Sequence, residues 1–361
     1  MSKVGIFLRK DFLSLNEEAK KLAGTLGNAD VVDYQEYKKL KPPLYYPRHM
    51  IEEWYRTHKI EKYNKAVFLL PYQRLEVSMM LGFSGYAKAE KEIWYTVTEG
   101  ITKHISGFTP QLNRKIIVTP SNFSKRCIEE TGAKVKEVIP HQADNNLEID
   151  EDFGLKWRAK YPKDKKLLVY IGNPARRKGL LELKEAVEIL ARKRKDFHVV
   201  IHTINQPKLQ GYNIKQLEHS NITLELEFGL ISKAQALAKM KYADFYVHPA
   251  KGEGFGLPVL EALQLGKPLI CINAFGVNEI ANRENSFMVE PYSESLEDYP
   301  PTGIQLTKFK VVNYHPKDLA ETIDMALDSP KSLIQEKIAK GFETVEKFRN
   351  TYKRFKELLG G

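Results

Sequence analysis

Three glycines fall within five residues, at Gly252, Gly254 and Gly256, in the run Lys251-Gly252-Glu253-Gly254-Phe255-Gly256-Leu257-Pro258-Val259-Leu260-Glu261-Ala262. Residues without a Cβ let backbone approach a ligand closely. Pro258 suits the first turn of a helix, where its missing N–H is no loss, so a helix is expected to begin near Leu257. The free N–H groups and partial positive charge of such a helix end point into the loop and suit an anion such as a phosphate. Glu261 lies about one turn into the helix. A carboxylate there repels phosphate and is better placed to accept hydrogen bonds from sugar hydroxyls. Glu253 is the second carboxylate of the turn. Taken alone, the stretch also fits tight strand–helix packing.

A second stretch, Ile171-Gly172-Asn173-Pro174-Ala175-Arg176-Arg177-Lys178-Gly179, sets three consecutive cations after an apolar run. At the carboxyl end of a parallel strand these would lie where open α/β sheets bind ligands, and Arg or Lys there would neutralise a diphosphate. No Gly-x4-Gly-Lys-Ser/Thr phosphate loop occurs.

Elements must bring these loops together. Short apolar runs alternate with amphipathic segments along the whole chain. Strands are expected at Val4–Leu8, Asp30–Tyr34, Ala66–Leu70, Ile93–Val97, Ile116–Thr119, Lys136–Ile139, Leu167–Ile171, Phe197–Ile204, Ile222–Leu226, Phe245–His248 and Leu269–Asn273. Several are apolar throughout and rich in Val and Ile, as strands covered on both faces are. Strand–helix alternation of this kind implies parallel sheets flanked by helices. The alternation pauses at Ala143–Lys166, a charged stretch read as a linker holding at most one short helix. The expected division is a domain over 1–150 and another over 151–344, with a C-terminal helix at about 345–361 that crosses back to the first. Ser293–Val311, with Pro300, Pro301 and Gly303, reads as a surface excursion.

In this setting residues Lys165 to Pro291 resemble the nucleotide-binding domain of family-four retaining glycosyltransferases of the GT-B fold. The likeness rests on the Lys178-Gly179 loop, Phe228-Gly229, Ala243-Asp244-Phe245-Tyr246-Val247-His248-Pro249, the Glu253…Glu261 pair in a Glu-x7-Glu spacing, Gly266-Lys267-Pro268, Gly276-Val277-Asn278-Glu279-Ile280 and Asn285…Val289, in that order. A weaker likeness covers Ile117–Asp144. The resemblance implies two Rossmann-like domains with parallel sheets facing across a cleft. It implies a transferase that moves a sugar from a UDP- or GDP-linked donor to an acceptor with retention, without metal or other cofactor. Glu253 and Lys178 would be the catalytic pair, Lys178 on the diphosphate. Gly254, Phe255, Gly256 and Leu257 would lie against donor sugar and diphosphate, with Arg177 as a further cation. Glu261 would take the ribose hydroxyls, and backbone near Phe228 and Leu230 would lie by the base. The chain departs from the family pattern in three places. Asn173 stands where an Arg is common, Arg9-Lys10-Asp11-Phe12 stands where a glycine pair is common, and Trp94–Gly100 contains no His. These departures feed the alternative of an inactive nucleotide-sugar-binding or scaffolding protein.

Other signals are bland. The excess of 56 Lys and Arg over 46 Asp and Glu gives a net charge of +10, which favours anionic partners without choosing among them. A phosphate-binding site accounts for cations locally, so nucleic acid is not expected as a partner. The only Asp-x-Asp match is Asp150-Glu151-Asp152, in the linker, and is read as a solvated turn. His198 and His202, on one strand, would stand ~13 Å apart, too far to share an ion. His141 matches a family position at the domain junction and reads as a core or hinge residue at least as readily as a catalytic one. Tyr45, Tyr46, Trp54 and Tyr55 form an aromatic cluster suited to packing, or to stacking on a sugar or a lipid head group. The basic aromatic tail Lys347–Lys356 reads as a packed helix face, with peripheral membrane contact as the sharper option. Two cysteines exclude a disulfide framework, and no apolar run reaches the ~18 residues of a membrane span. With no export signal at the N-terminus, a cytoplasmic location is expected, with the inner membrane surface as the second option.

Overall fold

Leu167, Leu168, Val169, Tyr170 and Ile171 are all buried. Side chains of a strand alternate between its two faces, so a run of this kind needs apolar cover on both. It has it: Leu168 and Tyr170 enter one core, while Leu167, Val169 and Ile171 enter another. The structure, a computed structural model, describes residues 3–8, 13–33, 63–72, 77, 81, 84, 89–102, 105–206, 211–298 and 307–360. The cluster Tyr45–Tyr55 and the loop Arg9–Phe12 lie outside them.

The described strands are β1 (Val4–Leu8), β2 (Ala29–Asp33), β3 (Lys65–Pro71), β4 (Lys91–Val97), β5 (Gly100–Thr102), β6 (Ile116–Thr119), β7 (Val135–Val138), β8 (Lys166–Ile171), β9 (Phe197–His202), β10 (Ile222–Glu225), β11 (Phe245–His248), β12 (Leu269–Ile272), β13 (Phe287–Val289), β14 (Ser293–Asp298) and β15 (Thr307–Asn313). Twelve of them form two six-stranded sheets, β2-β1-β3-β4-β6-β7 and β10-β9-β8-β11-β12-β13, and the other three form the sheet β14-β15-β5. Every pairing in the two six-stranded sheets is parallel. In the second sheet the chain runs outward from β8 to β10 on one side, then returns to β11 on the other. The crevice between the ends of β8 and β11 is thus a topological switch point, the place where such sheets take ligands.

The helices that position the site are α1 (Leu13–Leu26), α2 (Asn122–Glu129), α3 (Glu151–Arg158), α4 (Leu180–Ala191), α5 (Lys233–Tyr242), α6 (Leu257–Gln264), α7 (Pro316–Asp328), α8 (Lys331–Lys347) and α9 (Lys353–Leu359). α4 and α7 cover one face of the second sheet; α5, α6 and α8 cover the other. The chain then recrosses: Tyr352, Phe355 and Leu359 pack with Leu15, Ala19 and Leu22 of α1 on the first sheet. The aromatics of the tail, Phe348, Tyr352 and Phe355, are therefore packed, while Lys347, Lys353, Arg354 and Lys356 between them are exposed.

Two details refine the expectations. Asp150 caps α3, its carboxylate accepting from Phe153 N at 3.0 Å, and Glu151 and Asp152 occupy the acidic first turn. Negative charge belongs at a helix N-terminus, which explains the triplet without a metal. Ser293–Val311, expected to be a surface excursion, holds instead the hairpin strands β14 and β15. β15 pairs antiparallel with β5, Lys308 opposite Ile101 and Phe309 opposite Gly100. A strand from beyond the second sheet is thereby tied to a segment that directly follows β4 of the first. Gly100 is required there, since a Cβ would collide with the Lys308 backbone.

Candidate active site

The loops after β8 and β11 meet at the switch point. Gly179 adopts φ 70°, and a Cβ on it would fall on the Pro249 carbonyl oxygen. Glycine thus lets the two loops touch. Lys251 N donates to the Arg177 carbonyl at 2.8 Å and joins them. Asn173 works locally: its Oδ1 accepts from Ala175 N at 3.2 Å and its carbonyl from the Tyr170 hydroxyl at 2.9 Å.

The Glu253 carboxylate sits at the junction. Lys178 Nζ pairs with its Oε1, Arg177 Nη1 lies 3.3 Å from its Oε2, and His248 Nε2 lies 3.2 Å from Oε1. Arg177 also donates to the Gly252 carbonyl at 3.0 Å and to Glu99 Oε1 at 2.5 Å. Phe309 of the hairpin lies beneath its guanidinium, at 5.5 Å. Lys178, Arg177, Glu253 and His248 are all buried. Burial opposes ionisation of Glu253, yet the Lys178 ammonium and Arg177 guanidinium hold its carboxyl well below the usual carboxylate range. Burial, then Arg177, push the Lys178 ammonium below the usual lysine range despite Glu253. Burial also lowers His248. The cluster is thus a buried set of two cations, Lys178 and Arg177, held by the carboxylates of Glu253 and Glu99.

The helix end expected near Leu257 is there. Gly256, at φ 105°, precedes α6. The N–H groups of Phe255, Gly256 and Leu257 find no acceptor among the described residues. Ser121 Oγ donates to the Gly254 carbonyl at 2.5 Å and Ser124 Oγ at 3.2 Å. A Cβ on Gly254 would strike Val97 and come within 2.9 Å of the Thr98 carbonyl. The glycine-rich loop is thus seated directly on residues of the first sheet and of α2. Glu279 reinforces the seat, accepting from Asn122 N and Phe123 N at 2.8 Å each. Phe123 and Phe275 stack at 4.8 Å beside it.

Glu261 stands apart from this cluster, one turn along α6. Lys233 Nζ lies 3.1 Å from its Oε1 and 3.7 Å from Asp144. Asp144 lies 3.1 Å from Lys21 of α1, and Lys21 lies 2.9 Å from the buried Glu18. Glu18 meets His141 at 3.1 Å and accepts from the Tyr352 hydroxyl. His141 also stacks edge-on against Phe255 at 4.9 Å. It is therefore a buried junction residue.

Of the base-side residues, Phe228 packs against the core that holds Phe255, and its ring lies 6.1 Å from His202. Leu230 is 75% exposed on the turn ahead of α5. The structure thus gathers Lys178, Arg177 and Glu253 into one contact set, places Gly254–Leu257 beside it, and puts Glu261, Phe228 and Leu230 at separate points around it.

Glu99 and Lys233 carry no signal in the motifs and join these residues only through packing between distant segments. His248 belongs to the Ala243–Pro249 stretch of the resemblance, at the end of a strand in the crevice, with no role implied for it. His198 and His202 both lie on β9, as expected. His202, Glu225 and Glu227 do converge, their ligand atoms lying within 4.8 Å of one another. The Lys239 ammonium stands among them, at 3.1, 2.6 and 3.2 Å respectively. It fills the position of a cation, so the group is a structural ion-pair network. Among the described residues no helix is long and apolar enough to cross a membrane.

Residues 155–299 match the family model of glycosyl transferases group 1. Over 192 residues the chain is 28% identical to the putative teichuronic acid biosynthesis glycosyltransferase TuaC of Bacillus subtilis (strain 168). That match covers 52% of this chain and 44% of the relative, so the chain spans less than half the length of that protein. The glycosyltransferase from Rickettsia africae ESF-5 superposes with TM-score 0.68 at 18% identity, covering 99% of this chain and 98% of that one. The Anabaena protein Alr3699/HepE, solved with UDP and glucose, superposes with TM-score 0.69 at 15% identity over 100% of both chains. The fold is GT-B, with two Rossmann-like parallel-sheet domains.

Proposed function

We propose that this protein transfers a sugar from a UDP- or GDP-linked donor to an acceptor oxygen, with retention at the anomeric carbon and without a metal ion. The observation that carries the reading is the convergence of Lys178, Arg177 and Glu253 beside the free N–H groups of Phe255, Gly256 and Leu257. The match of residues 155–299 to the glycosyl transferase group 1 model supports it, as does the UDP and glucose complex of the Anabaena structural neighbour.

In this reading the diphosphate lies between Lys178 and the N-terminus of α6, and Glu261 accepts from the ribose hydroxyls. Entry of the diphosphate sets it in competition with Glu253 for Lys178, which frees the Glu253 carboxylate for hydroxyls of the donor sugar. The bond from C1 to the β-phosphate oxygen breaks with its electron pair leaving on the diphosphate. A bond from C1 to the acceptor oxygen forms on the same face, and the acceptor proton passes to the departing diphosphate. Charge grows on the leaving group as this happens. Fixed donors and cations in a water-poor site stabilise such charge without reorganising, the role a divalent cation would otherwise fill. Domain closure would keep out water, a competing acceptor.

The test incubates the purified protein with a panel of labelled UDP- and GDP-sugars and measures binding and release of nucleoside diphosphate. Release, even by slow hydrolysis, is expected from at least one donor. Binding without release would leave a nucleotide-sugar-binding protein. No binding across the panel would overturn the reading.

A further inference from the structure

Lys233 stands in the first turn of α5, where the helix dipole disfavours a cation. The helix does not need it there: Ser232 and Gln235 already close its start with a reciprocal capping box. Its ammonium turns to two carboxylates outside its own helix, Glu261 at 3.1 Å and Asp144 at 3.7 Å. Asp144 is in turn held by Lys21 at 3.1 Å and Lys21 by Glu18 at 2.9 Å. The ammonium is thereby fixed on both sides.

We propose that Lys233 is a positioning residue for Glu261: it holds that carboxylate ionised and oriented as the acceptor for the ribose hydroxyls of the donor nucleotide. The proposal rests on the nucleotide reading above. An ionised carboxylate accepts from both ribose hydroxyls through charge-assisted hydrogen bonds, whereas protonation turns one oxygen into a donor and removes the charge that strengthens them. The titratable groups facing Glu261 are Lys233 from α5, Lys21 from α1, Asp144 from the segment after β7 and the buried Tyr246 of β11. Burial pushes the Glu261 carboxyl upward and Lys233 is the strongest opposing influence; Lys21 assists and Asp144 opposes them. Lys233 itself is kept charged, against burial, by Glu261 and Asp144. Removing the ammonium leaves Glu261 protonated over a wider pH range.

The experiment titrates the protein with UDP and with GDP by calorimetry between pH 5 and 9, and continues with whichever binds. Wild type, Lys233→Met, Lys233→Arg, Glu261→Gln and the double variant Lys233→Met/Glu261→Gln are compared, together with the 2′,3′-dideoxy nucleoside diphosphate. The nucleotide's own titration is common to all variants, so differences between curves report the protein. In Lys233→Met the pH below which affinity falls is expected to rise by about one to three units, the usual effect of losing one adjacent opposite charge. Lys233→Arg is expected to restore it. In Lys233→Met the preference for the ribose over the dideoxy ligand should shrink near neutral pH and recover in alkaline buffer. The double variant should bind like Glu261→Gln alone. An unchanged pH profile in Lys233→Met, or further loss in the double variant, would overturn the assignment; the second result would make Lys233 a direct ligand. If wild type binds neither nucleotide, the nucleotide reading itself fails and this inference with it.

Discussion

Lys178 and Glu253, 75 residues apart in the chain, form a buried ion pair across the switch point of the second sheet. One follows β8 and the other follows β11, so parallel pairing of these strands creates the contact. A buried pair of this kind is weak grounds for stability, because desolvation offsets much of the attraction. It suits a site that exchanges one anion for another.

Replacing Lys178 by Ala should slow turnover and also lower Tm, because removing one partner of a buried pair leaves the other short of a counter-charge. Loss of a single fixed donor to a developing anion costs about 10²- to 10³-fold in kcat. Initial rates of nucleoside diphosphate release, with a thermal melt as control, check this. An unchanged kcat would remove Lys178 from the chemistry.

Glu261→Ala should act on binding instead. Hydrogen bonds to a charged group contribute about 1.5–3 kcal/mol, which corresponds to a roughly ten- to hundredfold weaker Kd. The loss should vanish when the ligand lacks ribose hydroxyls. Equal weakening toward both ligands would show that Glu261 does not touch the sugar.

Glu18 should make the protein acid-sensitive. Burial opposes its ionisation, but His141 and Lys21 outweigh burial and lower the carboxyl from 4.5 to about 2. A group depressed in the folded state contributes stability that is complete above the unfolded value and is lost as pH falls through the folded one. The window is therefore pH 4.5 to 2, and the shift corresponds to about 3 kcal/mol. Glu18→Gln should flatten the decline of Tm with acid in that window, measured by calorimetric melts. A slope equal to wild type would contradict the assignment.

Gly254→Ala should pry the glycine-rich loop from the first sheet, because its Cβ meets Val97 and the Thr98 carbonyl. Overpacking of this kind costs about 1–3 kcal/mol. Nucleotide affinity and Tm should both fall, and Val97→Ala in the same chain should recover part of each. No change in either would mean that the two surfaces part readily in solution.

Much of this was legible from residue types. The continuous apolar runs of β8 and β11 announce doubly covered parallel strands, and glycines or cations directly after them announce the crevice. Pro258 places the start of α6 near Leu257, where the helix begins. The hairpin was not legible, for physical reasons. Ser293–Asp298 is a polar, exposed edge strand with no apolar alternation to betray it, and Pro300, Pro301 and Gly303 punctuate the sequence beside it. The partner of β15 is β5, some 200 residues earlier. Lys310 N donates to the Glu99 carbonyl at 3.1 Å, while the Glu99 carboxylate takes Arg177. Contacts of this kind between distant segments leave no periodic trace. Glu99 and Lys233 were missed for the same reason, whereas Glu253 and Glu261 sit in one short stretch, the first in the glycine-rich loop and the second one turn into α6.

The most direct measurement is a crystal structure with UDP or GDP bound. Diphosphate oxygens are expected within hydrogen-bond distance of Lys178 Nζ and of the N–H groups at Gly256 and Leu257, with the ribose hydroxyls on Glu261. A nucleotide bound away from the crevice between β8 and β11, with the Lys178–Glu253 pair undisturbed, would contradict that arrangement.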